Sequence, residues 1–193
     1  MLLRAEQGLQ NWDDVLQIVR QLERRGALSA ESARQLMLTA TVENLRKKSL
    51  DAESVKHFWR GVDEDERFEP RVATAAARLF TRLGDPRTAH AIVHDAIERQ
   101  WNEELVLAYS EGEDGESLER LERAERWLAE HPNDASLLLT LGRLCTQREL
   151  WGKAQSYFEA SLAIQPTQGA HLALANLFER LGRNEEASRH FRA

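Results

Sequence analysis

Cysteine, proline and excess positive charge are what this chain has least of. A lone cysteine, Cys145, excludes an intrachain disulfide, so the fold needs no oxidising compartment. Cys145 lies in the apolar stretch LLLTLGRLC, where a buried small hydrophobe is its expected role. Only four prolines and ten glycines occur, and they fall at helix ends, which argues against disorder. Lysine and arginine number 26 against 32 aspartates and glutamates, a net charge of −6. That balance speaks against nucleic acid as a partner, because a basic surface is the usual requirement. No run of about 18 apolar residues is present, so this chain is not expected to span a membrane. Residues 1–10 contain no apolar signal core. Also missing are a P-loop, a G-x-S-x-G turn, a G-x-G-x-x-G fingerprint and any paired-cysteine metal site. The chain is therefore expected to be neither an enzyme nor the holder of an obligatory cofactor or metal.

What is abundant is helical periodicity. Trp12, Val15, Leu16, Val19 and Leu22 mark a first helix over 9–25, stopped by Gly26. A second runs from the N-cap Ser29 to Lys48, and a third over 51–62. The acidic DEDE at 63–66 reads as a solvated loop closed by Pro70, and EDGES at 113–117 as another. Helices over 71–84 and 86–99 flank Gly84-Asp85-Pro86, a stop, a turn and a start in three residues. Further pairs are expected at 103–111 and 116–131, 134–147 and 150–164, and 168–181 and 184–192. In the first of these pairs, Leu105, Ala108 and Tyr109 should face inward, with Leu118, Leu121, Trp127 and Leu128 opposite. The total is about eleven antiparallel helices.

These pairs repeat. Shifting by 33 residues carries Leu141 to Leu174, Gly142 to Ala175, Ala154 to Ala187 and Phe158 to Phe191; Pro132 and Pro166 stand 34 apart. A period near ~34 with Leu-Gly, then Ala, then an aromatic, then Pro is the signature of tetratricopeptide (TPR) repeats. The expected fold class is all-α, a TPR-like right-handed superhelical solenoid, with irregular helical repeats over 1–69 and TPR-like repeats over 70–193.

In such hairpins the first helix lines a concave groove. The repeat frame places Arg71, Thr74, Arg78, Thr81 and Arg82 there, then Ser136, Leu139, Arg143, Thr146 and Gln147, then Leu172, Asn176, Glu179 and Arg180. Arg71, Arg78, Arg82, Arg143 and Arg180 would give a basic lining to an acidic protein. Guanidinium groups pair carboxylates in bidentate fashion, so an acidic peptide or a propionate-bearing porphyrin suits them; pairing with nearby glutamates is the plainer alternative. His90 and His94 stand one helical turn apart, a spacing that could place both imidazoles on a metal or beside a heme, although two half-exposed histidines flanking Ala89 and Val93 is the plainer reading. His131 suits a helix C-terminus, while His57, His171 and His190 show no partner pattern. Of the five tryptophans, Trp12, Trp59, Trp127 and Trp151 lie in helical patterns, and Trp101 falls in a loop as a candidate contact residue. The terminal hairpin, open at its end, could self-associate into a homo-oligomer.

The stretches HPND, LLLTLGRLC, LWGKAQSYFEASL and QPT between residues 131 and 167 resemble the C-terminal region of proteobacterial HemY proteins. So do RLGDPRTAHAIVHDAIERQWNEELV, AERWLAEHP and, more loosely, FWRGVDEDERFEPRVATAAARL upstream. The resemblance implies a TPR protein associated with protoheme biosynthesis. It implies tethering to the bacterial inner membrane by two N-terminal transmembrane helices, which these residues do not include. Partners would be late heme-pathway enzymes, with a heme- or porphyrin-binding module as the alternative. The family carries no catalytic residues onto this chain. The flavin-dependent oxidase that shares the family's name is unrelated.

Overall fold

The computed structural model describes residues 11–48, 51–112, 115 and 117–192. The beginning of the expected first helix, two residues of the EDGES run and Glu116 within it, and Ala193 lie outside them. Among the described residues there are twelve helices and no strand. They are α1 Trp12–Arg24, α2 Ala30–Lys47, α3 Ala52–Gly61, α4 Glu64–Arg67, α5 Pro70–Arg82 and α6 Pro86–Arg99. Then follow α7 Glu103–Ala108, α8 Ser117–Glu130, α9 Ala135–Gln147, α10 Trp151–Ile164, α11 Gln168–Arg180 and α12 Asn184–Phe191.

Local chemistry sets most boundaries. Ser29, Asp51, Asp85, Asp134 and Thr167 each accept a hydrogen bond from a backbone N–H of the first turn that follows, which satisfies donors a helix leaves open. Pro70 and Pro86 stand in the first turns of α5 and α6, where a missing N–H costs nothing. Gly84 and Gly182 adopt φ of 79° and 72° between paired helices, the left-handed region that glycine enters without steric cost. The equivalent turn between α9 and α10 uses Glu149 at φ 57°.

Packing divides the chain into two compact units, Met1–Leu105 and Val106–Ala193. The 69/70 boundary drawn from repeat regularity falls inside the first. In that unit α1 packs on α2, α2 on α5, and α5 on α6. Val15, Leu16 and Val19 of α1 meet Ala33 and Ala40 of α2, with Trp12, Leu36 and Phe58 around them. Leu38 and Val42 meet Val72, flanked by Trp59. Ala73, Ala76 and Ala77 are buried on α5, as the close approach of two helices requires.

The twelfth helix is α4, inside the DEDE stretch read above as a solvated loop. Asp63 caps it through the Asp65 N–H, and Glu66 is half-buried, accepting a 3.0 Å hydrogen bond from the Thr41 hydroxyl. The acidic run thus carries a structural residue that its composition does not reveal.

In the second unit α8 packs on α9, α9 on α10, α10 on α11 and α11 on α12. Phe158 of α10 drives into α9 at Gly142: a Cβ added there would lie 2.3 Å from the Phe158 ring. The repeat's small residue is therefore a steric requirement. Two buried hydroxyls tie helices together, Thr140 to the Val106 carbonyl at 2.8 Å and Ser161 to the Ala135 carbonyl at 2.7 Å. Leu118, expected to face inward, is 47% exposed. The buried face of α8 includes Leu121, Ala124 and Trp127 instead.

Candidate functional site

A cavity of about 250 Å3 opens on the α9 and α11 side of the second unit. Arg143 and Thr146 come from α9, and Leu172, Ala173, Asn176, Leu177 and Arg180 from α11, with Phe158 at its base. Both helices are the first of their hairpins, so residues separated by a whole repeat meet on one wall. The wall combines an apolar floor with two guanidinium groups. Gly169 lies against this wall: a Cβ there would make ordinary van der Waals contact, 3.9 Å from Arg143 Nη2 and 3.7 Å from Leu139. Arg143 is half-buried, and burial pushes its guanidinium below the ordinary arginine range, with the Glu111 carboxylate opposing that shift. A desolvated cation beside apolar surface is a strong counter-group for an incoming carboxylate.

Five groove residues read from the repeat frame, Arg143, Thr146, Leu172, Asn176 and Arg180, line this cavity together. Gln147 is placed otherwise. Its amide donates to the Ser110 carbonyl at 2.8 Å and accepts from Arg120 at 3.3 Å, so both ends serve the framework. Arg120 is the residue that sequence reasoning missed. It is buried, and it also donates to the carbonyls of Tyr109 and Gly112 at 3.1 and 3.2 Å, pinning the segment between α7 and α8. An arginine in the apolar row Leu121, Ala124, Trp127 of α8 is the only sequence signal for that role.

Arg71, Arg78 and Arg82 belong to the first unit. All three are exposed on α5, whereas Thr74 of the same stripe is 1% exposed and lies in the core. Trp101 is half-buried in the segment between α6 and α7. The first unit has its own cavity, about 800 Å3, which the repeat frame does not foresee. Opposite charges line it: Arg34 pairs with Glu69, Arg99 with Asp65 at 3.1 Å, Arg20 acts on Glu66, and Arg24 lies on the same lining. Burial raises the Glu66 carboxyl above the ordinary glutamate range, and the Thr41 hydroxyl and Arg20 only partly offset it.

His90 and His94 do not share an environment. His90 is 7% exposed within the α5–α6 packing, which corrects the half-exposed position expected for it. His94 faces Asp95 at 3.1 Å and Glu98 at 3.6 Å. Among the described residues no three of His, Cys, Asp and Glu converge as metal ligands. Cys145 is buried, and burial pushes its thiol up to about 11, so it stays protonated and unreactive at neutral pH. No helix among the described residues is long and apolar enough to cross a membrane.

No family model matches the chain. The HemY proteins of Escherichia coli and Shigella flexneri are 25% identical to it over 188 residues, which is 92% of this chain and 45% of theirs. The chain thus spans about half the length of the curated relatives it matches. Among solved structures, a thermophilic TPR protein of Thermus thermophilus superposes with a TM-score of 0.54 at 20% identity, covering 93% of this chain and 87% of that one. The human IFIT1 dimer with PPP-AAAA gives 0.56 at 13% identity, covering 95% and 46%. Those likenesses concern the fold. The chain is a TPR-fold protein whose sequence is similar to the HemY proteins along nearly its whole length.

Proposed function

We propose that this chain is a non-enzymatic scaffold that holds partner proteins against the α9–α11 wall of its second unit. The observation that supports it most is the cavity itself, an apolar floor of Leu172, Ala173 and Leu177 beside Arg143 and Arg180. A segment that presents an aliphatic side chain next to a carboxylate fits that chemistry. The exposed arginines of α5 offer a second, shallower cationic face. As the resemblance to the HemY proteins implies, the partners are enzymes of late heme biosynthesis at the bacterial inner membrane.

The test is a pull-down of heme-pathway enzymes by the chain and by the Arg143→Glu/Arg180→Glu variant, with helicity checked by circular dichroism. Loss of capture by a folded variant is the expected result. Undiminished capture would remove the cavity from the reading. Heme titration of the same samples separates the scaffold from a porphyrin carrier. The scaffold leaves the Soret band unmoved, and a saturable shift lost in His90→Ala/His94→Ala would favour the carrier.

A further inference from the structure

The last hairpin is held together in an unusual way. Only Ala187 of α12 is buried, and Phe191 at its end is 49% exposed. α12 therefore contributes little apolar surface of its own to its packing on α11. Polar and ring contacts take its place. Arg183, just before α12, donates to Glu186 at 2.6 Å and to Gln155 at 2.8 Å, and its guanidinium lies 4.2 Å from the Phe178 ring centroid. His190 covers Phe178 as well, with ring centroids 5.7 Å apart.

His190 also meets His171 of α11, with the two Nδ1 atoms 3.0 Å apart. Their ring centroids are 5.3 Å apart, close to the limit set by the nitrogen separation plus two ring radii. The two Nδ1 atoms therefore point at one another. That contact holds one proton: one ring donates Nδ1–H and the other accepts with a bare Nδ1. We infer that His171 and His190 form a latch that shares a single proton, docks α12 on α11 above neutral pH and releases it in mild acid.

A second proton would set two N–H donors and two positive rings face to face. The surroundings decide how hard that is. On α12, Glu186 favours a charged His190 and Arg189 disfavours it; from α10, Glu159 favours it; from α11, His171 disfavours it. From α9, Arg143 stands beside Gly169, two residues before His171. Burial is the largest influence, and the net result is a His190 that titrates below its ordinary 6.5. The sign follows from linkage. A histidine depressed in the folded state stabilises fully above its unfolded value, and that stability is lost as pH falls below about 6.5. Glu186 remains ionised in this window, because Arg183 holds it below the usual glutamate range.

The test is hydrogen exchange of the whole chain at about pH 7.5 and about pH 5.5, corrected for the intrinsic exchange rate. Protection of α12 should fall several-fold in acid while α9 and α10 keep theirs. In His171→Gln/His190→Gln, which retains hydrogen-bonding side chains that do not titrate, the difference should vanish. Flat protection in the unaltered chain, or an equal fall in the variant, would overturn the latch. If the variant folds poorly, the imidazole Cε1–H resonances of the unaltered chain decide. Coupled titration supports the latch, and two independent curves near the ordinary histidine value refute it.

Discussion

Asn44 of α2 and Thr140 of α9 are both fully buried polar side chains on core helices, and they fare differently. Thr140 donates to the Val106 carbonyl, whereas neither end of the Asn44 amide finds a hydrogen bond among the described residues. Surfaces differ in the opposite sense. The large exposed hydrophobics among the described residues, Leu118, Leu150, Ile164, Leu172, Leu181 and Phe191, all belong to the second unit. The first unit lines its cavity with ion pairs instead. The regular repeats of the second unit leave apolar surface facing outward, as stacked hairpins do when each face suits a neighbour or a guest. The irregular first unit closes its surface with charge and tolerates an unsatisfied amide within.

Breaking the polar interior of the second unit should have the largest effect. Arg120→Met strands the Tyr109 and Gly112 carbonyls and frees Gln147, and should cost about 3 kcal/mol or more in urea unfolding. A loss below about 1 kcal/mol would mean that the arginine is peripheral. Gly142→Ala comes next. Its new methyl meets the Phe158 ring, so overpacking of about 1–3 kcal/mol should outweigh the helix propensity gained. The equivalent pair Ala175 and Phe191 already carries that methyl, and there Phe191 is half-exposed. Restored stability in Gly142→Ala/Phe158→Leu would localise the clash.

The first unit should respond with the opposite sign. Asn44→Leu removes the unsatisfied amide and should raise the free energy of unfolding by about 1 kcal/mol, read in urea. A loss instead would show that the amide has a partner. The smallest effect concerns Glu66. Its carboxyl is raised in the folded state, so its favourable contribution exists in acid, below the ordinary glutamate value of 4.5, and is lost as pH rises through the folded value. Glu66→Gln keeps an acceptor for Thr41. It should raise the midpoint at neutral pH and flatten the pH profile above 4.5, read by thermal melts.

How much of this was legible follows from sequence distance. Gly84-Asp85-Pro86 marked its turn because stop and start signals act within three residues. Arg143, Thr146, Leu172, Asn176 and Arg180 could be assigned to one wall because a repeat maps equivalent positions onto equivalent faces. The framework role of Gln147 could not, since it depends on Ser110 and Arg120, 37 and 27 residues away. Nor could the contact of His171 with His190, which have no shared helical register and meet only once α12 docks.

The sequence alone determined every helix but α4, most of their boundaries and the repeat that pairs them. Those depend on propensity, capping and apolar spacing, which operate over one or two turns. Tertiary structure decided the rest: that Glu66 and Arg120 serve the interior, that Phe158 is buried while Phe191 is half-exposed, and that Gln147 belongs to the framework rather than the groove. Burial and electrostatic environment are properties of what surrounds a side chain, and the surroundings here come from helices tens of residues apart.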